Sequence, residues 1–346
     1  MPLAAGKLPP ELLRALLATI PADPSVVVGG AVGEDAAIID AGGPDLLAAK
    51  TDPITFASAG LGRYLLAVNS NDLAAMGARP RWLLATVLLP EGCEPEAVRE
   101  LFDGLRDACA EAGVALVGGH TEITVGLDRP IAVGCLLGTV ARGRVVRTAG
   151  ARPGDALLLA GGVAVEGAAI LAREHAAELG EAGVDPAVIA RAAAFLREPG
   201  ISVLPAARAI HATGAAHAMH DPTEGGVATA LHEIAEAAGV GVRVAREAIA
   251  VLPECAVIAA ALDLDPLGLL ASGALLAAVP PEESEAALAR LRAAGVAGAR
   301  IGEITASGRV MTVGGREMPL PVFERDELAR YLSSRLRISQ ASPPSS

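Results

Sequence analysis

Four aspartates of the sequence stand where apolar segments meet polar, glycine-containing turns. Asp35 lies in the segment GEDAA directly before an apolar stretch, and Asp52 lies in KTDP directly after one. Asp72 lies in NSNDL inside a predicted helix, and Asp221 lies in HDPTEGG directly before another. Two carboxylates about 5 Å apart repel by roughly 3 kcal/mol at an effective dielectric constant near 20, so a cluster needs a cation or shared protons. If the four converge, oxygen-only ligands without a Cys/His cluster favour magnesium over zinc.

Asp72 carries the most information of the four, because helical spacing places it on one face with Leu65, Asn69 and Met76. An unpaired buried carboxylate is costly and takes up a proton instead, so an acid on an apolar stripe needs a partner. The alternative for Asp72 is an ordinary hydrogen-bonded buried aspartate or a helix break. Asp35 and Asp52 also fit turn or cap positions, the commoner role of aspartate beside glycine or proline.

A first glycine-containing segment could bind phosphate. Gly118, Gly119, His120 and Thr121 follow a predicted strand at 114–117. Paired glycines at such a place let backbone N–H groups approach a phosphate closely, and the histidine and threonine side chains could add donors. The alternative is an ordinary tight turn, which a glycine pair taken alone favours.

A second segment, with Thr223, Gly225 and Gly226, opens a helix predicted to begin near Val227. Free N–H groups and the positive end of the helix dipole make a candidate anion site there, while Glu224 is unfavourable for direct phosphate contact. The alternative is a threonine N-cap flanked by glycines. Neither segment matches GxxxxGK[ST], or GxGxxG after a strand, which disfavours P-loop ATPases and Rossmann dehydrogenases.

The elements that would position these residues alternate between helix and strand, most regularly in the second half. This alternation predicts a layered α/β architecture. The turn-rich segment ARPGD at 151–155 predicts a boundary between domains at 1–150 and 151–338, and the tail SQASPPSS at 339–346 is expected to be disordered. The predicted helices include 61–77, 96–113, 165–179 and 226–238, and the predicted strands include 36–40, 45–49, 82–89, 131–140 and 274–279.

Composition excludes several classes of protein. The 346 residues carry a formal charge of −12 and only 2% aromatic residues, which makes nucleic acid a poor partner. Four cysteines without a CxxC pair predict free thiols in a reducing compartment rather than a zinc or disulfide framework. The first residues lack the features of a signal peptide, and no apolar run reaches the length of a membrane span. These observations predict a cytoplasmic protein without a membrane segment.

Six motifs in this order resemble the PurM-like superfamily, which includes aminoimidazole ribonucleotide synthetase, selenophosphate synthetase, thiamine-monophosphate kinase and the hydrogenase maturation factor HypE. The motifs spread over most of the chain, and NDLAAMGARP with HAMHDPT-GG makes HypE-like members the most similar. They are GEDAAIID (33–40), KTDPI (50–54), NSNDLAAMGARP (69–80), ALVGGHTE (115–122), RPGDALLL (152–159) and HAMHDPTEGGVATALHEIAEAAGVGV (217–242).

The resemblance implies an α+β N-terminal domain and an α/β C-terminal domain, with sheets of two N-terminal domains closing a barrel across a homodimer. It also implies ATP and Mg²⁺ as cofactors and phosphoryl transfer to an oxygen of a small-molecule or protein-borne carbonyl, carboxamide or phosphate group. The implied magnesium ligands are Asp35, Asp52, Asp72 and Asp221. The implied nucleotide contacts are Asn71, Gly118, Gly119, His120 and Thr121, while Lys50 and His120 are the candidates for a catalytic role.

Two departures from HypE-like sequences bear on function. HypE carries its substrate on a C-terminal cysteine, whereas this sequence ends in Ser345-Ser346 and has its last cysteine at Cys255. Glu224 stands where HypE-like loops usually carry a basic residue. The hypotheses left open are an ATP-dependent enzyme with an unidentified substrate, a hydrogenase-maturation partner that docks another protein, and a thiamine-monophosphate kinase-like phosphotransferase. A dimeric scaffold without activity is disfavoured, since it would not need the four aspartates.

Overall fold

Two β-sheets, one from each half of the chain, are covered by helices and meet across a shared apolar core. The computed structural model describes residues 7–341, with side chains described to residue 335. The mixed α/β class with one sheet in each half, expected from the alternation and the resemblance, is confirmed. The barrel across a dimer stays a prediction.

The first sheet has the strand order β1-β2-β3-β6-β4-β5 and is antiparallel except for the pair β4 and β5. Strand β5 is therefore an edge strand. The elements of this half are α1 (Pro10–Leu17), β1 (Val26–Val28), β2 (Ala37–Ile39), β3 (Asp45–Ile54), α2 (Leu61–Ala75), β4 (Arg79–Pro90), α3 (Pro95–Ala112), β5 (Ala115–Thr124) and β6 (Ile131–Ala141).

Helix α2 lies at the centre of this half, and 13 of its 15 residues are buried. It packs against β3, β4 and β6 on one side and against α3 on another. Gly62 allows the close approach of α3, since a Cβ there would lie 2.5 Å from the backbone nitrogen of Leu105. Contacts on several sides fix the rotation of α2 and with it the directions of its polar residues.

The second sheet has the order β13-β12-β9-β11-β7-β10-β8, and only β12 and β9 are parallel neighbours. Alternation of strands and helices thus gives a largely antiparallel sheet here. Its elements are β7 (Ala156–Gly161), α4 (Val165–Glu174), α5 (Ala176–Glu181), α6 (Pro186–Ala193), α7 (Leu204–His211), β8 (Ala218–His220), α8 (Gly226–Ala238), β9 (Gly241–Ala245), α9 (Pro253–Ala261), β10 (Ala274–Val279), α10 (Ser284–Ala293), β11 (Gly298–Thr305), β12 (Arg309–Val313), β13 (Arg316–Pro319) and α11 (Glu327–Ala341).

Several predicted elements need correction. The helix predicted over 165–179 is interrupted at His175, whose φ of −131° separates α4 from α5. Helix α11 extends to Ala341, so the first three residues of the predicted disordered tail are helical, and 342–346 lie outside the described residues. Strands β1 and β13 and helices α6 and α11 were not predicted, because short or weakly periodic segments give little signal.

One apolar core runs through both halves, with Leu65 of α2, Ile170 of α4 and Leu231 of α8 in the same cluster of buried residues. The domain boundary at residue 150 stays a prediction, since this core crosses it. Within the described residues, no helix is both long and apolar enough to cross a lipid bilayer. The shared core brings β3 and α2 of the first half against α4 and α8 of the second, and a cavity opens where they meet.

Candidate functional site

The four predicted magnesium ligands, Asp35, Asp52, Asp72 and Asp221, all line one cavity of about 240 Å³ between the two halves. They come from four separate places: the turn before β2, strand β3, helix α2 and the end of β8. Convergence of these distant carboxylates is therefore a property of the fold. Among residues 7–335, eight acidic residues line the cavity, which are Glu34, Asp35, Asp52, Asp72, Glu166, Asp221, Glu224 and Glu233.

Lys50 lies among the aspartates, with its Nζ 3.0 Å from an oxygen of Asp72 and 3.3 Å from one of Asp52. Residues two apart on a strand share a face, so Lys50 and Asp52 of β3 both point towards α2. Burial alone would lower the pKa of Lys50, but Asp72 and Asp52 outweigh it and hold that pKa above its ordinary value. The ammonium group therefore stays charged beside the carboxylates.

Asn69 holds the backbone of Asp52 in place. Its Oδ1 accepts a hydrogen bond from the N–H of Asp52 at 2.9 Å, and its Nδ2 donates to the Asp52 carbonyl at 3.3 Å and to the Leu65 carbonyl at 2.9 Å. The sequence placed Asn69 on the face of Asp72 but gave it no role. The signal was present in the polar residues of that helical stripe.

His220 bridges two carboxylates that the sequence did not connect. Its Nδ1 lies 2.6 Å from Asp35 and its Nε2 lies 2.9 Å from Glu233, whose other oxygen is 3.3 Å from the Nζ of Lys7. Burial opposes the charge on His220, but the two carboxylates raise its pKa well above the ordinary value. Both ring nitrogens then carry protons and donate. The sequence shows only that His220 is adjacent to Asp221, and nothing in it singles out Lys7 or Glu233.

Asp221 and Asp72 have oxygens without partners. Both carboxylate oxygens of Asp221 and Oδ2 of Asp72 are buried and accept no hydrogen bond from the described residues. Burial, reinforced for Asp221 by the nearby Asp35, raises the pKa of both groups well above the ordinary value. Buried carboxylates in this state bind either a proton or a cation.

These orphaned oxygens fit a bound divalent ion. Ligand atoms of Asp35, His220 and Asp221 lie within 4.8 Å of one another. Since both nitrogens of His220 already face carboxylates, the available donors are carboxylate oxygens. A set of hard oxygen ligands suits magnesium and is a poor match for zinc.

The first glycine segment does not form the predicted loop. Gly118, Gly119, His120 and Thr121 lie inside the edge strand β5, exposed to solvent and outside the lining of the cavity. Gly119 is required by close packing, because a Cβ there would lie 1.8 Å from the carbonyl oxygen of Ala85 on β4. The prediction of a turn was wrong because the strand continues through both glycines. Nucleotide contact by these residues stays a prediction, and none of them lines the cavity of its own chain.

Asn71 does not line the cavity either. It is fully buried, and its Nδ2 donates to the carbonyl of Ile201 at 2.8 Å while its Oδ1 accepts from the N–H of Val203 at 2.8 Å. Both ends of the amide are thus used to join α2 to the segment before α7. The structure gives Asn71 a role in connecting the two halves, and the implied nucleotide contact of Asn71 stays a prediction.

The backbone amides at the start of α8 are also occupied. The N–H of Gly225 donates to Oδ2 of Asp326 at 2.7 Å, and that of Gly226 donates to the carbonyl of Thr223 at 3.0 Å. Neither glycine lines the cavity, whereas Thr223 and Glu224 do. The predicted anion site at Gly225 and Gly226 is therefore filled by the protein itself, and Thr223 alone of the three faces the cavity. Asp326 is too distant in sequence to have been predicted.

His120, a candidate for catalysis, lies 3.0 Å from Glu122 on the same exposed strand. Lys50, the other candidate, lies at the centre of the acidic cluster. The structure therefore separates the two candidates and leaves only Lys50 in contact with the predicted metal ligands.

Comparison with known proteins gives two adjacent family matches. Residues 33–144 match the N-terminal domain of AIR synthase related proteins, and residues 152–314 match the C-terminal domain of the same proteins. A putative hydrogenase expression/formation protein of Methanocaldococcus jannaschii is 30% identical over 84% of both chains. A carbamoyl dehydratase HypE of Rhizobium leguminosarum bv. viciae is 33% identical over 73% of this chain and 71% of its own length.

Solved structures agree with this assignment. The hydrogenase maturation protein HypE in complex with ATP superposes with a TM-score of 0.71 at 28% identity, covering 85% of this chain and 90% of that one. A thiamine-monophosphate kinase of Aquifex aeolicus superposes with a TM-score of 0.66 at 20% identity, covering 89% of this chain and 97% of its own. The second likeness shows a shared fold only.

Proposed function

The chain belongs to the AIR synthase related protein family, and on this premise we propose that it is a HypE-like enzyme that uses magnesium–ATP to phosphorylate an oxygen of its substrate. The observation that carries the proposal is the pair of buried aspartates, Asp72 and Asp221, whose oxygens lack partners in the described part of the chain. A structural role would have given these oxygens hydrogen-bond donors. A cavity with surplus buried carboxylates is suited to a cation-bound ligand.

Asp35, Asp52, Asp72 and Asp221 are the residues that would hold magnesium. Bound there, the metal supplies charge neutralisation for phosphate oxygens, which is the main requirement of phosphoryl transfer. Lys50 stays protonated between Asp52 and Asp72 and is positioned to donate a further hydrogen bond to a phosphate oxygen. Asn69 holds the backbone of Asp52, and with it the Asp52 carboxylate, beside Lys50.

His220 performs a separate task in the same site. Its two N–H groups hold Asp35 and Glu233 at fixed positions, and the other oxygen of Asp35 accepts a hydrogen bond from Oγ1 of Thr148 at 3.4 Å. Glu233 stays ionised, because Lys7 and His220 outweigh its burial and lower its pKa to about 2. The chain of charges from Lys7 to Asp35 thus preorganises one metal ligand.

The relatives support ATP as the nucleotide. HypE was solved in complex with ATP, and the curated relatives named carbamoyl dehydratase HypE align over about 70% of this chain or more. For this chain we propose an ATP-dependent activation of an oxygen of the acceptor.

Nucleotide titration tests the proposal. Calorimetry with a non-hydrolysable ATP analogue is expected to give binding in magnesium and at least about tenfold weaker binding in EDTA, a difference of 1.4 kcal/mol or more. Asp72→Ala should lose the magnesium-dependent part. Asp128→Asn changes an exposed carboxylate of the β5–β6 turn and is the matched control. Equal affinity in Asp72→Ala and wild type would contradict the proposed site.

We also propose a homodimer formed along the exposed edge of the first sheet, at β5 and the adjoining part of β4. Apolar side chains that are 38–63% exposed are concentrated there, namely Leu84, Leu116, Val117 and Ile123. A second copy would cover them and place the segment 118–121 at an interface, where its predicted nucleotide contacts could be met. Light scattering after size exclusion should give a dimer for wild type and a monomer for Val117→Lys; a monomeric wild type would contradict this arrangement.

Hydrogenase maturation is the process we propose for this activity. It is supported by the relative from Methanocaldococcus jannaschii, named a putative hydrogenase expression/formation protein, which is 30% identical over 84% of both chains. The test is restoration of hydrogenase activity in a bacterial strain that lacks its own HypE. Lys50→Ala, which removes the cation among the aspartates, is the inactive control. Failure of wild type to restore activity, with ATP binding intact, would assign the enzyme to another acceptor.

A further inference from the structure

A second cavity, of about 510 Å³, lies on the other side of helix α2 from the aspartates. Helix α2 lines it with Arg63 and Ser70, whereas it lines the first cavity with Val68 and Asp72. At about 100° of rotation per residue, these two pairs of positions face in nearly opposite directions. The two cavities share no lining residue within the described chain. The second cavity is therefore a separate place in the molecule.

Small side chains between two packed helices leave this space open. Helices α2 and α3 lie close together where Gly62 meets the backbone of Leu105. The cavity between them is lined by Ala67 of α2 and by Ala108 and Ala112 of α3, which fill little volume. The segment 196–208, which includes the start of α7, forms the remaining wall.

The charged residues of this lining are three arginines and one glutamate. Arg63 donates to both carboxylate oxygens of Glu111 at 2.6 Å. These hydrogen bonds, together with the charge of Arg197, hold the pKa of Glu111 below its ordinary value, so that carboxylate stays ionised. Of the three arginines, only Arg63 forms an ion pair among residues 7–335, which leaves Arg197 and Arg208 uncompensated. The lining thus has a net charge of +2 in a chain of net charge −12.

Two buried donors of α2 that line the cavity lack partners. Ser70 is only 1% exposed, and its Oγ has no hydrogen-bond partner in the described part of the chain. The same holds for Nε of Arg63, which precedes Ser70 by two helical turns on the same face. Buried polar groups are nearly always hydrogen-bonded, so these orphaned donors point to a ligand with acceptor atoms.

Helix α7 adds to the positive potential. Its first turn, with Leu204 and Pro205, lines the cavity, and the N-terminal end of a helix carries a partial positive charge. Arg208 follows Leu204 by one turn and so lies on the same face of α7. Charged groups, buried donors and the helix end all favour an anion in this cavity.

The rest of the lining selects the carbon part of the ligand. Leu66, Leu196 and Ile201 supply aliphatic surface, and no aromatic side chain lines the cavity within the described residues. A nucleobase would find no ring to stack on. The volume of 510 Å³ lies within the range of roughly 300–1,000 Å³ that is usual for small-molecule sites.

We propose that the second cavity binds a small aliphatic phosphate monoester, whose phosphate contacts Arg197, Arg208 and Ser70. Guanidinium groups match phosphate oxygens in shape and charge, and a dianionic phosphate balances the net charge of the lining, which a carboxylate does not. Nε of Arg63 is a further donor. This site goes beyond the proposed function, since it shares no residue with the predicted magnesium ligands.

Calorimetry in EDTA at pH 8 tests the site with three probes: n-butyl phosphate, inorganic phosphate and pentanoate. We expect n-butyl phosphate to bind with a dissociation constant of about 1 mM or lower. Inorganic phosphate should bind at least about threefold more weakly, because it lacks the chain that contacts the aliphatic wall. Pentanoate keeps such a chain but has a single charge, and should bind at least about tenfold more weakly.

Four variants locate the binding. Arg197→Gln and Arg208→Gln should each weaken n-butyl phosphate binding by at least about tenfold, since each removes a charged hydrogen bond to the phosphate. Ser70→Ala should weaken it by at least about threefold without lowering the melting temperature, because Oγ has no partner in the described chain. Arg99→Gln removes an exposed arginine of α3 outside the lining and should match wild type.

The outcomes separate this site from the proposed function. Unchanged affinity in the double variant Arg197→Gln/Arg208→Gln, or equal binding of n-butyl phosphate and pentanoate, would overturn the site. Equal binding of inorganic phosphate would overturn the ester and leave a site for free phosphate. The double variant should keep magnesium-dependent binding of the ATP analogue, because neither arginine lines the first cavity. Binding of n-butyl phosphate by a wild type that fails to bind nucleotide would contradict the proposed function alone, and the reverse result would overturn this site alone.

Discussion

Replacement of Asp221 by asparagine tests the central claim that this site is built for a cation and is strained without one. Both oxygens of Asp221 lack partners within the described chain, and a ligand atom of Asp35 lies within 4.8 Å of one of them. Asparagine keeps the shape of the side chain and removes its charge. Without metal the variant should therefore be more stable than wild type, although it loses a metal ligand.

The magnitude follows from the geometry. Two unit charges about 4.8 Å apart repel by roughly 3 kcal/mol at an effective dielectric constant near 20. Part of this repulsion is already relieved, because His220 pairs with Asp35 and because burial favours a proton on Asp221. We expect the metal-free variant to gain about 1–2 kcal/mol in free energy of unfolding, the remainder of that repulsion.

Urea denaturation in EDTA and in magnesium with the ATP analogue measures both effects. Ligand at about 100 times its dissociation constant should stabilise wild type by about 2.7 kcal/mol. Asp221→Asn should show a higher midpoint in EDTA and a much smaller gain from ligand. Asp128→Asn is expected to match wild type in both conditions. A variant that is destabilised in EDTA and keeps the full gain from ligand would refute the reasoning.

Three further predictions concern other parts of the molecule. Asn71→Ala should lower the free energy of unfolding by about 2–3 kcal/mol, because two buried backbone groups lose their hydrogen-bond partner. Its nucleotide affinity should stay within about twofold of wild type. Weaker nucleotide binding without a loss of stability would instead support a direct contact between Asn71 and the nucleotide. In urea unfolding, the free energy of unfolding of Glu166→Gln relative to wild type should rise between about pH 5 and pH 8 and level off above pH 8. The raised folded-state pKa of the Glu166 carboxyl stabilises the folded wild type at low pH, and this stabilisation is lost as the pH rises through that pKa. A pH-independent difference would show that the carboxyl is not buried in its neutral form. Gly119→Ala should reduce the melting temperature by about 10 °C or abolish soluble expression, since its Cβ would overlap the carbonyl oxygen of Ala85 on β4; unchanged melting would show that β4 and β5 are not in close contact there.

Local patterns of the sequence predicted most of the regular elements. Helices α2, α3 and α8 and strands β4, β6 and β10 lie within a few residues of their predicted positions, because long periodic or apolar segments specify their own conformation. The helical stripe with Asn69 and Asp72 was also identified from spacing alone. By contrast, the run at 118–121 reads as a turn because of its glycines, yet pairing with β4 along its whole length makes it a strand.

Some residues of the site could likewise be identified from the sequence, whereas others could not. The four aspartates could be chosen from the sequence, because each stands beside a turn or on an apolar face where an acid requires an explanation. The partners of those aspartates could not, since Lys7, His220 and Glu233 interact with Asp35 only after segments far apart in the chain are packed together. Asp326 likewise accepts a hydrogen bond from the N–H of Gly225, although the two residues are 101 positions apart in the sequence.

The residues that could carry charge, most of the long helices and strands, and the superfamily that the order of the motifs resembles all follow from the sequence. The packing of the chain was needed to show that the aspartates share one cavity, that Asn71 and Gly225 form their hydrogen bonds within the protein, and that Glu166 and Ser272 line the same cavity. Hydrogen bonding and burial depend on the distance between atoms in space. Sequence patterns fix such distances within a helix or strand, whereas the packing of α2, α4 and α8 fixes them across this site.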